Sequence, residues 1–93
     1  MRYGDFEWDA AKARANVRKH GVTFEEAATA LLDDLAIPYA DPAHRDRFVL
    51  IGMSLLSNLL LVVLAERAGG NVVRIVSARR ATRRERRAYE EGE

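Results

Sequence analysis

The first third of the chain carries two helix-like patterns of apolar and polar residues. Residues 10–19 are rich in alanine, follow Asp9 and precede Gly21. Because aspartate is a favourable N-cap and glycine commonly follows the last helical residue, the sequence predicts a helix over 10–19. A second helix is predicted from Thr23, whose spacing to Glu26 is that of a capping box, and Asp33 with Asp34 is expected to end it after residue 32. Its apolar residues recur with a helical period and are expected in the core: Phe24, Ala27, Ala28, Leu31 and Leu32.

Four segments of strand-like composition follow, at residues 35–39, 47–54, 59–65 and 72–78. The third is apolar at every position, which is typical of a strand covered on both faces. Short connections, including a hairpin-like AGGN at residues 68–71, favour antiparallel pairing of consecutive strands. The sequence therefore predicts one sheet of four mainly antiparallel strands.

The end of the chain predicts a third helix. Thr82 and Glu85 repeat the capping-box spacing, and the helix is expected to end at about Glu91. A short helix with so few apolar residues is marginal by itself, so some interaction other than burial must stabilise or use it. The whole chain, 1–93, is thus predicted to be one α+β domain with two N-terminal helices, a four-stranded sheet and a C-terminal helix.

Composition narrows the class of protein. The chain has 93 residues, of which 48% are hydrophobic, and this is enough to form one small core. A further 31% of the residues are charged, a little above the average for globular domains. The chain has no cysteine, which excludes disulfides, a thiol nucleophile and thiolate metal sites and suits a reducing cytoplasm. The N-terminus is polar, and the longest apolar run is too short to span a bilayer. We therefore expect a cytoplasmic protein without a membrane partner.

Common catalytic motifs are missing from the sequence. His20 and His44 lie in separate segments without a second ligand at metal-binding spacing, so no metal is expected. Ser77, like the other serines, lacks the Gly-x-Ser-x-Gly context of an acyl-transfer nucleophile. No glycine-rich phosphate loop followed by Lys-Ser or Lys-Thr is found, and no cofactor is expected.

Six arginines lie between Arg79 and Arg87, in a chain whose formal net charge is only +1. Guanidinium groups bind phosphate bidentately and stay charged at physiological pH. Arg79 and Arg80 are expected beside the N-terminus of the last helix, whose free N–H groups add to an anion site. With Trp8 and scattered basic residues, this pattern favours single-stranded RNA as the ligand. The alternative is a solvated face partly neutralised by glutamates, and the low net charge argues against tight non-specific DNA binding.

Cleavage of RNA at such a site would need a proton acceptor, a proton donor and cations for the developing phosphorane charge. Arginine supplies the cations but does not act as a base at neutral pH. The candidates for the base are Lys19, His20, Glu66 and Tyr89, and composition does not choose among them. For His20, the simplest assignment from sequence alone is a cap at the end of the first helix.

Several stretches resemble the BrnT family of toxins, in order and at the expected spacing over nearly the whole chain. They are FEWD at residues 6–9, NVRKHGVTFEEA at 16–27, RFVLIG at 47–52, ER at 66–67 and RIVSARRATRRERRAY at 74–89. Each piece alone is a weak signal, but the combination of KHGVTFEEA with SARRAT is specific.

The resemblance implies a RelE-like ribonuclease fold and a metal-independent RNA-cleaving surface. It also implies a small antitoxin, usually with a ribbon-helix-helix DNA-binding part, so that operator DNA is contacted only through the antitoxin. By matching position, the implied catalytic residues are Lys19, His20, Arg47, Glu66, Arg67, Arg79, Arg80, Glu85 and Tyr89. The residues expected to bind RNA besides these are Arg74, Arg83 and Arg84. The residues expected to hold the phosphate in one converging pocket are Arg47, Arg67, Arg79 and Arg80.

Two places depart from the family pattern. Leu64 stands where the family often has Tyr or His, two residues before the Glu-Arg pair, and SLLSN at residues 54–58 lacks the common Gly-Arg turn. The loss of a polar ring and of a basic contact predicts a less active toxin. It also keeps open an alternative function, a non-catalytic module of the same fold that binds a partner or nucleic acid.

Overall fold

The computed structural model describes residues 2–3, 6–41, 43–67 and 72–92. The elements along the chain are β1 (Arg2–Tyr3), β2 (Phe6–Glu7), α1 (Ala10–His20), α2 (Phe24–Ala30), β3 (Ile37–Ala40), β4 (Arg47–Met53), β5 (Leu59–Arg67), β6 (Val72–Arg80) and α3 (Arg83–Glu91). The predicted α+β fold is confirmed, while the predicted turn at residues 68–71 lies outside the described residues. Within the described part, no helix has the length and apolarity needed to cross a membrane.

The described strands form one sheet in the order β1-β2-β6-β5-β4-β3. The four predicted strands, β3 to β6, are consecutive antiparallel neighbours. Two short strands add to the prediction: β1 pairs antiparallel with β2, and β2 pairs parallel with β6. A strand of two residues is too short to show an alternating pattern, so the sequence gives no signal for them.

One face of the sheet packs against α1 and α2 and forms the hydrophobic core. On β5 the alternate residues Leu60, Val62 and Leu64 belong to this core and are buried, whereas their neighbours Leu61 and Val63 are only half-buried. The prediction that this strand is covered on both faces therefore holds only at its beginning, where Leu59 on the second face is 2% exposed. The reason is that α3, which lies on the other face, has no buried residue and covers only part of it.

α2 lies directly on the backbone of β4 at Gly52. A Cβ atom at this position would be 2.5 Å from the carbonyl oxygen of Ala30, so only glycine allows this approach. The helix ends at Ala30 and not at residue 32 as predicted. Because the chain turns after Ala30, Leu31 packs at the margin of the core, and Leu32 is 65% exposed rather than buried.

α3 begins at the capping box that the sequence predicts. The Oγ1 of Thr82 accepts from the N–H of Glu85 at 3.2 Å, and the N–H of Thr82 donates to Glu85 Oε1 at 2.8 Å. Gly92 ends the helix in the left-handed conformation, with φ of 76°. Since no residue of α3 is buried, polar contacts must attach the helix to the sheet.

Candidate functional site

The face of the sheet opposite α1 and α2, called the open face from here on, presents three rows of side chains. The strand registers give these rows as Arg47, Ala65 and Arg74, then Val49, Val63 and Ser77, then Ile51, Leu61 and Arg79. α3 lies over the third row. A cavity of about 320 Å³ between α3 and the sheet is lined by Tyr39, Val49, Ile51, Leu61, Arg84, Glu85 and Ala88. The open face is thus an apolar floor with arginines at both ends.

Arg79 lies at one end of this floor and is held by Glu85 of α3. Its Nη1 and Nη2 donate to Glu85 Oε1 and Oε2, both at 2.9 Å, and Nη1 also donates to the carbonyl oxygen of Arg80 at 3.2 Å. The hydrogen bonds from Arg79 lower the pKa of Glu85, and the same hydrogen bonds raise the pKa of Arg79. A carboxylate whose pKa is lowered is a weak base, so Glu85 is poorly suited to general-base catalysis.

Tyr89 attaches the far end of α3 to the sheet. Its hydroxyl donates to Asp33 Oδ2 at 2.6 Å, and the same carboxylate accepts from the N–H groups of Leu35 and Met53 at 2.9 and 2.8 Å. The hydrogen bond to Asp33, with burial, raises the pKa of Tyr89 to about 12. Burial acts to raise the pKa of Asp33, but the three hydrogen bonds outweigh it and lower that pKa. At neutral pH the hydroxyl of Tyr89 therefore keeps its proton and donates a hydrogen bond to Asp33, so Tyr89 is poorly suited to act as the base.

We expect Tyr89→Phe to lower the free energy of unfolding by about 1 kcal/mol at neutral pH, a value that allows for the partial exposure of Tyr89. Because the folded-state pKa of about 12 is above the ordinary value of 10.0, the hydroxyl's contribution is complete below pH 10.0 and is lost as the pH rises toward 12. Urea unfolding of both proteins, at neutral pH and at about pH 11.5, should show the difference in stability shrinking at the higher pH.

Asp33 and Asp34 provide a matched control for this prediction. Asp34 is exposed, and within the described residues its side chain makes no hydrogen bond or ion pair. Asp33→Asn should lower stability at least as much as Tyr89→Phe, while Asp34→Asn should leave it unchanged within about 0.5 kcal/mol. A difference between wild type and Tyr89→Phe that stays constant with pH would contradict the assigned contact.

Lys19 and His20 end α1 beside β6. A cavity of about 260 Å³ at this place is lined by Lys12, Ala15, Asn16, Lys19, His20, Val76 and Ser77. Ser77 also belongs to the middle row of the open face, two residues before Arg79. Lys19 is exposed and His20 half-buried. The structure therefore places both predicted residues beside the outer edge of β6, on a helix that packs against the opposite face of the sheet.

Arg47 lies at the opposite end of the open face from Arg79. On β5 their partners are Ala65 and Leu61, four positions apart, which corresponds to about 13 Å. Arg79 is bound to Glu85, and no described contact brings it toward Arg47. The side chain of Arg67 lies outside the described part of the chain. The prediction of one converging phosphate pocket is therefore wrong for the described arginines, because the strand register separates them.

Glu66 and Arg80 belong to the other face of the sheet by the alternation of their strands. Glu66 follows the buried Leu64 by two residues, and Arg80 pairs with the buried Leu60. The guanidinium of Arg80 donates from Nη1 to the side-chain oxygen of Asn58 at 3.1 Å. Glu66 lines a cavity of about 450 Å³ at the end of the sheet, together with Pro38, Tyr39, Ala40, Arg45, Asp46, Arg47 and Phe48. Neither residue is brought together with Arg79 and Glu85.

The three expected RNA-binding arginines have different surroundings. Arg74 donates from Nε to Glu7 Oε2 at 2.9 Å, so its charge is partly neutralised. Arg83 is exposed on α3, and Arg84 lines the cavity between α3 and the floor. Among the described residues, neither Arg83 nor Arg84 has an acidic partner. Arg84 is thus a free cation directly above the open face.

The two departures from the family pattern lie away from the open face. Leu64 is 2% exposed and packs in the core with α1 and α2. The open face therefore does not lose an aromatic or imidazole ring because residue 64 is leucine. In the turn after β4, Ser54 Oγ and Asn58 Nδ2 donate to Glu26 Oε2 at 2.6 and 2.9 Å and fasten the turn to α2. The structure thus removes the physical basis for predicting a weaker toxin from Leu64.

Two residues of this site were not singled out by the sequence. The Asp-Asp pair that includes Asp33 indicates the end of a helix, and no local pattern connects it to Tyr89, which is 56 positions away. Ser77 has no catalytic motif around it, and its place in the open face follows only from the register of β5 and β6. A signal for Ser77 exists in the resemblance, since it belongs to the SARRAT stretch.

The described part of the chain is a small α+β domain whose open face is an apolar floor with arginines at both ends. The family model for the BrnT ribonuclease toxins of type II toxin–antitoxin systems matches residues 8–85, so the chain belongs to this family. Among solved structures, the crystal structure of the Brucella abortus ribonuclease toxin BrnT is similar. It is 25% identical, has a TM-score of 0.66, and the match covers 84% of this chain and 96% of that one. No curated protein matches significantly.

Membership of this family confirms the predicted class, a ribonuclease toxin. Because a type II system pairs its toxin with a protein antitoxin, it also implies a cognate antitoxin as partner.

Proposed function

We propose that this chain cleaves single-stranded RNA by transesterification on the open face, without a metal ion. The observation that carries the proposal is the placement of Arg79, fixed by Glu85, on the same face as Ser77, whose cavity also holds Lys19 and His20. This arrangement offers a cation for the phosphodiester and groups for proton transfer within one surface.

In the proposed reaction the 2′-oxygen of RNA attacks the adjacent phosphorus, and the 5′-oxygen of the next nucleotide leaves. One group takes the 2′-hydroxyl proton and one gives a proton to the 5′-oxygen, so that the products are a 2′,3′-cyclic phosphate and a 5′-hydroxyl. Arg79 stabilises the charge that develops on the non-bridging oxygens. No step needs a metal ion, because side chains can fill all three roles.

His20 is the proposed proton-transfer residue, with Lys19 as an additional cation. The other candidates are less suitable, since the hydroxyl of Tyr89 is hydrogen-bonded to Asp33 and Glu66 lines the cavity at the Arg47 end of the sheet, away from Arg79. A positioned histidine is the side chain that most often performs this task. Arg47, at the far end of the floor, would bind a phosphate further along the strand rather than the one that is cleaved.

We also propose that the antitoxin is of the ribbon-helix-helix type and covers the open face. The half-buried floor residues Val49 and Val63, together with the free cation of Arg84, suit a partner segment with apolar and acidic side chains. In this arrangement operator DNA is contacted by the antitoxin, and the complex acts in the cytoplasm.

The test of the proposed function is to incubate the pure protein with single-stranded RNA in the presence of EDTA. We expect cleavage that persists in EDTA, gives 2′,3′-cyclic phosphate ends and falls by about 100-fold in Arg79→Ala. Arg14→Ala, a change of an exposed arginine on α1, should have no effect and is the matched control. RNA that is bound but remains intact would instead support the non-catalytic module, and loss of cleavage in EDTA would contradict metal independence.

A further inference from the structure

We propose that Glu85 is a positioning residue, which turns Arg79 so that one edge of the guanidinium, formed by Nε and Nη2, is presented to the RNA phosphate. The inference rests on the proposed function, and it assigns to Glu85 a role other than proton transfer. It follows from a count of the N–H donors of Arg79 that already make hydrogen bonds and of those that remain available.

A guanidinium group has five N–H donors in one plane. In Arg79, Nη1 donates to Glu85 Oε1 and to the carbonyl oxygen of Arg80, which uses both of its hydrogens. Nη2 donates one hydrogen to Glu85 Oε2. The donors that remain are the Nε–H and the second hydrogen of Nη2, and these two lie parallel on one edge. This edge is a complete bidentate fork of the kind that binds phosphate.

The free edge is accessible. The side chain of Arg79 is 38% exposed, and within the described residues no acceptor contacts its Nε. Glu85 is itself anchored, because Thr82 N–H donates to its Oε1 and the residue belongs to the first turn of α3. The guanidinium is therefore fixed at three points, which reduces the conformational entropy that it loses on binding phosphate.

The opposite role for Glu85 is competition with the substrate. A carboxylate that occupies the end of the guanidinium neutralises its charge and could exclude phosphate from it. The donor count favours positioning, because the edge that phosphate needs does not overlap with the edge that Glu85 occupies. The nearby free cation of Arg84 offsets the charge that Glu85 adds. The two roles predict opposite effects of removing the charge of Glu85.

Glu85→Gln separates the two roles. Glutamine is also a capping-box residue, so α3 should retain its N-terminus in this variant. If Glu85 positions Arg79, Glu85→Gln should lower the cleavage rate by about 10-fold to 100-fold, mainly through kcat. If Glu85 competes with RNA, the variant should bind and cleave RNA better than wild type, and the proposal would be overturned.

Chemical rescue by free guanidinium ion provides the sharper test. Arg79→Ala should lose activity and regain part of it, at least 10-fold, when millimolar guanidinium is added, because Glu85 can hold the added ion in place. The double variant Arg79→Ala with Glu85→Gln should show little rescue. Equal rescue of the single and the double variant would show that Glu85 has only a structural role.

A binding measurement keeps the proposal testable even if the chain does not cleave RNA. In wild-type protein labelled with ¹⁵N, titration with inorganic phosphate or a short all-deoxy oligonucleotide should shift the Nε–H resonance of Arg79. In Glu85→Gln the shift should need a higher ligand concentration. An Nε–H resonance that does not respond in wild type would overturn the inference. Absence of cleavage together with this shift would overturn the proposed function but not the positioning role of Glu85.

Discussion

Replacing Asn16 with leucine is expected to lower the free energy of unfolding by about 3 kcal/mol or more. Asn16 is the buried polar residue of α1, and its side chain bonds to backbone groups of two other segments. Nδ2 donates to the carbonyl oxygens of Val22 and Ala78 at 2.9 and 2.8 Å, and Oδ1 accepts from the N–H of Ala78 at 3.1 Å.

The large effect follows from what these hydrogen bonds replace. Beyond Arg74, β2 no longer pairs with β6, and among the described residues no other strand lies beside the outer edge of β6 at Ala78. The amide of Asn16 supplies both the acceptor and the donor that a strand would give at this residue. Leucine has a similar size but would leave these backbone groups buried without partners, at a cost of about 1–3 kcal/mol each.

Urea unfolding of Asn16→Leu and of Arg14→Leu, an exposed position of the same helix, measures this effect. The control should differ from wild type by less than about 0.5 kcal/mol. A loss below about 1 kcal/mol in Asn16→Leu would contradict the assigned role of its amide. Since Asn16 fastens the end of α1 that carries Lys19 and His20, the folded fraction of the variant should also cleave RNA more slowly than wild type.

Local patterns of the sequence predicted the elements of the fold correctly where the physical cause is local. The N-caps at Thr23 and Thr82 depend on residues three positions apart, and both are present in the structure. The complete capping box forms only at Thr82, because the carboxylate of Glu26 accepts from Ser54 and Asn58 instead. The end of α2 was predicted two residues too late, and the segment that packs there is distant in the sequence: the carbonyl oxygen of Ala30 approaches Gly52 on β4. A pattern of apolar residues cannot report a distance between segments that are 22 positions apart.

The arrangement of the candidate site depends even more than the fold on contacts between segments that are distant in the sequence. The resemblance identified Arg79, Glu85, Lys19 and His20, and the structure pairs the first two, while the last two lie on α1 beside the outer edge of β6. Composition treated Arg79 and Arg80 as equivalent, but strand alternation directs adjacent residues to opposite faces, so only Arg79 belongs to the open face. Whether an arginine of β4 can meet one of β6 depends on register, which local sequence does not fix.

Contacts between distant residues explain why α3 exists at all. The sequence indicated that burial does not stabilise this helix, and the structure shows that two polar contacts hold it, Arg79 with Glu85 and Tyr89 with Asp33. Arg79 and Glu85 both lie in the stretch that resembles the BrnT family. The contact that attaches the helix therefore also orients Arg79, the residue proposed to bind phosphate. In the proposed function, the same pair therefore serves both the attachment of α3 and the binding of phosphate.

Replacing His20 with alanine is expected to lower the rate of RNA cleavage by about 100-fold or more, which is the usual contribution of a general acid or base. The chain contains one other histidine, His44, which lies in the turn before β4 and contacts Asp41 at 3.5 Å. His44 is 50% exposed and belongs to none of the cavities next to the open face. His44→Ala is therefore the matched control and should cleave RNA at the wild-type rate within about twofold.

The chemistry of the leaving group shows which proton His20 transfers. In RNA with sulfur in place of the 5′-bridging oxygen, the leaving group needs no proton, so a missing acid no longer slows the reaction. If His20 is the acid, the deficit of His20→Ala should nearly disappear with this substrate. If His20 is the base, the deficit should remain, because the 2′-hydroxyl still has to lose its proton. Cleavage of ordinary RNA by His20→Ala at the wild-type rate would exclude His20 from both roles and leave Lys19 as the candidate at this edge of the open face.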